Sequence, residues 1–152
     1  LELLRNTCSA LRPLMEERGL AFEMELGDVD CMVNADSSRI RQVITNLLNN
    51  AAKFTTEGTV KISLKVVEDK HAIFSVEDSG SGISEEHCAR IFDRLYQVNP
   101  GIGIEGKIGL GLGLSLCQDI VALHDGEIWV ESELGVGSRF YIKIPLVLET
   151  VV

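Results

Sequence analysis

Two β-hairpin patterns constrain this chain more than any other feature. Residues 59–67 and 72–76 read as strands joined by the turn at Asp69-Lys70, and residues 127–131 and 138–145 as strands joined by a turn bearing Gly135 and Gly137. Hairpins demand antiparallel pairing, so the fold is an α/β two-layer sandwich with a mixed, mostly antiparallel sheet. A doubly wound parallel sheet is excluded. Between the hairpins the spacing predicts helices. Leu1, Leu4, Leu11, Leu14 and Met15 place one over residues 1–18, stopped by Gly19. Ile40, Val43, Ile44, Leu47, Leu48 and Ala51 place a longer one after a cap at Asp36 or Ser37. Two more are expected, over residues 84–95 and from Leu112 to Asp125-Gly126. Alternation of Phe22, Met24 and Leu26 with glutamates marks a strand over residues 21–26, and residues 31–34 read as a second short one.

Composition narrows the class of function. The 152 residues are 45% hydrophobic and 24% charged, enough for one core. Lys and Arg number 14 against 23 Asp and Glu, and the net charge of −9 opposes binding to nucleic acid. No run of roughly 20 apolar residues marks a membrane span. Cys8, Cys31, Cys88 and Cys117 lack metal or redox spacing, so they are expected to be unpaired in a reducing cytoplasm. A start at Leu1 reads as a cut, with any membrane anchor outside the chain. Trp129, between Ile128 and Val130, is expected to be partly buried on its strand.

Three segments carry chemistry. Asn46, Asn50 and Lys53 fall at i, i+4 and i+7 on one side of the long helix, where amide oxygens suit a hard cation such as Mg²⁺ and the ammonium suits phosphate. Solvated helix residues would look the same taken alone. Asp78, in Glu77-Asp78-Ser79-Gly80-Ser81-Gly82-Ile83, puts a carboxylate at a strand end, followed by glycines that let a flat ring approach the backbone. An ordinary turn would satisfy that string by itself. The third segment, Gly109-Leu110-Gly111-Leu112-Gly113-Leu114, opens a helix whose free N–H groups suit phosphates. It has neither dinucleotide spacing nor a Walker ending. In this order the three supply metal ligands, a purine anchor and phosphate contacts.

These segments, with Ile91-Phe92-Asp93-Arg94-Leu95-Tyr96, resemble the N box, first glycine box, F box and second glycine box of sensor histidine kinases, and the likeness extends to Gly135-x-Gly137-Ser138-x-Phe140. The resemblance implies a Bergerat-type ATP fold, a mixed sheet of about five strands backed by three helices, with a mobile lid between the F box and the second glycine box. It assigns Asn50 to Mg²⁺ with Asn46 assisting, Lys53 to phosphate, Phe54 to adenine packing and Asp78 to the adenine amine. Gly80 and Gly82, with Ile83 beside them, shape the purine pocket. Gly109, Leu110, Gly111, Leu112 and Gly113 wrap the phosphates, and Arg94 or Lys107 supplies a cation to the γ-phosphate. Departures are Leu110 for a common threonine, Phe54 for tyrosine and Gln97 for a common arginine.

The expected function is therefore transfer of the ATP γ-phosphoryl group to a histidine elsewhere, by positioning and charge neutralisation. His71, His87 and His124 lack a phosphoacceptor setting. Residues 1–18 are expected to lead from an upstream dimerisation and phosphoacceptor helical segment, with residues 19–152 as the catalytic domain. The isolated domain is expected to be a monomer, the full-length protein a homodimer serving a response regulator. Two other classes compete. Clamp-type ATPases of the same superfamily resemble one another in carrying a glutamate base where this chain has Asn46, and a degenerate nucleotide-binding module would keep binding without transfer.

Overall fold

The computed structural model describes residues 1–28, 31–94 and 113–147. The first helix, α1 (Glu2–Glu17), ends where the sequence predicts. Gly19 adopts φ +71°, its N–H donates to the Glu16 carbonyl, and the Leu20 N–H donates to Met15 at 3.0 Å, which satisfies the last carbonyls of the helix. Strand β1 (Ala21–Glu25) follows, then α2 (Ser37–Phe54), capped by the Asp36 carboxylate accepting from the Ser38 and Arg39 amides. The chain then forms β2 (Thr59–Val67) and β3 (His71–Asp78), the short α3 (Glu85–Cys88), α4 (Gly113–Leu123), β4 (Glu127–Glu133) and β5 (Gly137–Pro145).

The sheet order is β1-β2-β3-β5-β4. Both hairpins pair antiparallel, and β3 pairs antiparallel with β5. Only β1 and β2 run parallel, because α2 is the crossover between them and returns the chain in the same direction. The inward side chains of alternate positions, Val60, Ile62, Phe74, Val76, Phe140 and Ile142, pack on Val43, Leu47, Leu48 and Ala51 of α2 and on Met15 and Val121 of α1 and α4. Trp129 lies on the other face, half-buried, stacked on Tyr141 with ring centroids 5.0 Å apart.

Two elements differ from expectation. Residues 31–34 form no strand: Cys31 and Val33 are half-buried, but the segment pairs with no strand among the described residues, and a bond from the Val147 N–H to the Met32 carbonyl, 2.8 Å, ties it down. The helix expected over residues 84–95 stops at Cys88. Beyond Ala89 the bonds shorten from four residues to three, Arg90 N–H to His87 and Asp93 N–H to Arg90, and the resulting turns bring Ile91 and Phe92 onto the core. The proposed lid, with Lys107, Gly109, Leu110, Gly111, Leu112 and Gln97, lies outside the described residues.

Candidate functional site

A cavity of about 310 Å³ opens where the end of β3, the start of β5, the C-terminal turn of α2 and the first turn of α4 converge. Asn50, Phe54, Asp78, Ile83, Ser138 and Phe140 are among its lining residues, as are Gly82, His87, Leu114 and Leu134. Its wall is largely apolar, with a few polar groups converging on it, which is the make-up of a small-molecule site.

Asp78 is the buried charge of this site, 7% exposed. Strand alternation turns it inward, in register with Val60 on one side and Ser138 on the other. Burial pushes its carboxyl above the ordinary aspartate range. The Gly80 and Ser138 amides oppose that rise, and the neighbouring Glu77 charge adds to it. The Gly80 N–H donates to Oδ1 at 2.9 Å, folding the following loop back over the carboxylate.

The two glycines of that loop are also closely approached by neighbouring backbone. A Cβ on Gly80 would collide with the Phe54 carbonyl, and one on Gly82, at φ +72°, with the backbone of Glu133 and Leu134. Their missing side chains admit that backbone, so the loop can lie between α2 and the β4–β5 turn. The Gly135 N–H donates to the Ser81 carbonyl at 2.8 Å and closes the same contact from the other side.

The helical candidates separate. Asn50 reaches the cavity, whereas the Asn46 amide donates to the Cys117 thiol of α4 at 3.7 Å and is not among the lining residues. Lys53 is half-buried with Nζ 5.4 Å from the Phe54 ring centroid, and Phe54 itself is 45% exposed at the cavity mouth. Arg94 is exposed, and Gly113 starts α4 where a Cβ would meet none of the described residues.

The sequence pattern assigns no role to Ser138 or to Ser132. The Ser132 hydroxyl bonds to the Ile83 amide at 2.7 Å, the Gly137 carbonyl at 2.9 Å and the Ser138 hydroxyl at 2.7 Å. It links the loop after Asp78 to the strand beside it. These partners lie up to 49 residues away, so no local spacing announces them. Burial also raises the Cys8 thiol to about 12 and the Cys117 thiol to about 11, which keeps both protonated and inert; all four cysteines are unpaired.

An open mixed sheet with helices on one face and a buried carboxylate lining a cavity at its end makes a two-layer α/β sandwich with a small-molecule site. The chain belongs to the histidine kinase-, DNA gyrase B- and HSP90-like ATPase family, whose model matches residues 35–148, and within it to the catalytic domains of sensor histidine kinases. It is 37% identical over 149 residues to the sensor protein EvgS of Escherichia coli O157:H7, covering 95% of this chain and 12% of that protein. Identity to the sensor histidine kinase RcsC of Escherichia coli K12 is 41% over 119 residues, 78% of this chain and 12% of that protein. Among solved structures, full-length ShkA in complex with AMPPNP superposes with a TM-score of 0.85 at 29% identity, over 99% of this chain and 30% of that one. The catalytic domain of histidine kinase ThkA gives 0.80 at 32%, over 95% and 92% of the two chains. ThkA in complex with the response regulator TrrA gives 0.78 at 31%, over 96% and 40%. The chain thus spans a small part of the curated proteins it matches. No described helix is long and apolar enough to cross a membrane.

Proposed function

We propose that this domain holds Mg²⁺–ATP in the cavity beside Asp78 and passes the γ-phosphoryl group to a histidine on a separate helical domain of the same signalling protein. The observation that carries the reading is the buried Asp78 carboxylate facing an apolar cavity. A buried acceptor with a raised pKa calls for a donor, and the exocyclic amine of adenine is one. Phe54 and Ile83 supply flat and apolar contact to the ring. The complex of ShkA with AMPPNP supports a nucleotide here.

Asn50 suits Mg²⁺: its amide is the cavity's carboxamide, and this ion takes few protein ligands while keeping water and nucleotide phosphates. When bound, the metal would neutralise phosphate charge. Lys53 would pair with phosphate oxygens from the same helix, and Arg94 would meet charge that grows during transfer. Asn46, held by Cys117, has no carboxylate to take a proton from water, which disfavours a self-contained clamp ATPase. Partners follow from the same reading. A dimerising phosphoacceptor helical pair would receive the phosphoryl group, and a response regulator would act downstream, as supported by the ThkA complex with TrrA.

Calorimetric titration with ATP and GTP in Mg²⁺ tests the site, and transfer of label from ATP to a supplied phosphoacceptor hairpin tests the activity. Preference for ATP, transfer that depends on the hairpin and slow idle hydrolysis are expected. Equal affinity for the two nucleotides, or steady hydrolysis indifferent to the hairpin, would sink the reading.

A further inference from the structure

A hydroxyl group carries one proton, and three partners compete for the attention of Ser132. The Ile83 N–H can only donate, and it points at Ser132 Oγ from 2.7 Å. The Gly137 carbonyl can only accept, and it lies 2.9 Å away, so it takes the Ser132 proton. The remaining contact, 2.7 Å to Ser138 Oγ, then needs its proton from Ser138. That fixes the Ser138 hydroxyl: its hydrogen points back to Ser132, and its lone pairs are what it can offer the cavity it lines. Ser138 is 7% exposed and pairs with Asp78 across the strands, so the two side chains present acceptors side by side.

We propose that Ser132, standing behind the cavity wall, fixes the direction of the Ser138 hydroxyl and so makes the site reject purines that carry an oxygen at position 6. The inference rests on the adenine reading above. Adenine presents an amine hydrogen to two acceptors, whereas guanine and hypoxanthine present a carbonyl that meets acceptors alone. Rejection by unpaired buried acceptors is stronger than any preference an apolar wall provides. Asp78 alone would give part of this discrimination, and the fixed Ser138 adds the rest. Ser132 acts through Ser138 and is a positioning residue.

Nucleotide titrations on the intact chain with ATP and ITP, which share the ribose and phosphates, isolate the effect. Ser132→Ala frees the Ser138 hydrogen to turn into the cavity and donate to a 6-oxo group. The ratio of ATP to ITP affinity should fall by about fivefold or more, as one gained hydrogen bond in place of a clash would give. Both affinities should also drop together as the Ile83 amide loses its acceptor. The double variant Ser132→Ala/Ser138→Ala lacks the freed donor, so its ratio should return toward that of the wild type, which a mere loosening of the loop would not produce. Ser132→Thr should keep the wild-type ratio and Ser132→Val lose it, a pair of equal shape that serves if the alanine variant fails to fold. An unchanged ratio in Ser132→Ala, or in Ser132→Val beside Ser132→Thr, would overturn this proposal alone. A wild-type chain binding ATP and ITP equally would overturn the adenine reading and this proposal with it.

Discussion

Asp78 shows at the level of one residue how function and stability oppose each other. Its folded-state pKa is raised, chiefly by burial, so the folded chain holds this proton more tightly than the unfolded chain does. The stability it contributes is therefore largest in acid, below the unfolded value, and declines as pH rises through the folded value. At neutral pH the charge costs stability. Asp78→Asn should leave the melting temperature equal or higher while weakening ATP binding by about tenfold or more, the worth of a charge-assisted hydrogen bond. Scanning fluorimetry beside calorimetry reads both, and a variant that loses stability as well as affinity would contradict the assignment. Wild-type affinity should start to fall, on acidification, at higher pH than an ordinary aspartate would dictate. Thr55 offers a simpler case: it is 3% exposed, and its hydroxyl has no partner among the described residues. Thr55→Val keeps the shape and removes the orphan, and should stabilise the chain by about 1 kcal/mol in chemical denaturation. Asp78 and Asn50 were legible because each stands in a local string whose spacing carries meaning. Ser132 was not, because a serine in a strand acquires its partners only when the loop after β3 meets the last hairpin.

Elements were legible where one periodicity runs unopposed. The stripe on α2 and the alternation of β5 survive intact because a single face of each is buried against one layer, whereas β3 also buries Ser75 on its other face. Failure came at the edges. Residues 31–34 alternate like a strand, but a strand needs a neighbour, and the place beside β2 is taken by β1. The helix begun at Ser84 was overextended since spacing alone does not register the pull of Phe140, whose ring meets Phe92 edge to face at 6.3 Å. The start of α2 can be tested as a unit. Asp36 accepts from the Ser38 and Arg39 amides, while its own N–H donates to Nε2 of His124, whose Nδ1 faces the Ile120 carbonyl at 2.7 Å. The Ser38 hydroxyl, then the Arg39 amide, lower the Asp36 pKa, so its contribution is present above the ordinary aspartate value and is lost as pH falls through the lowered one. Asp36→Ala should lower the melting temperature by a few degrees at neutral pH, with the gap from wild type closing in acid. A gap independent of pH would mean that the carboxylate is not the cap.

Across the whole molecule, the site is assembled from segments that are far apart in sequence: the end of α2, the end of β3 and the start of β5. Ligand binding should then report on the complete sheet. ATP at about 100 times its dissociation constant should stabilise the intact chain by about 2.7 kcal/mol. A chain ending before Gly137 should show no shift with ATP in the same thermal melt, and a shift there would mean that the first four strands suffice. The strand order sharpens this point. β5 is the latest strand in chain order, yet it lies inside the sheet between β3 and β4. While the chain is being made, β3 therefore waits with a bare hydrogen-bonding edge until residue 145 has left the ribosome, and during that interval nucleotide has nothing to grip. The cell's ATP is no chaperone for the unfinished domain; the shielding of that edge must come from how quickly the ribosome delivers β5 or from a holdase.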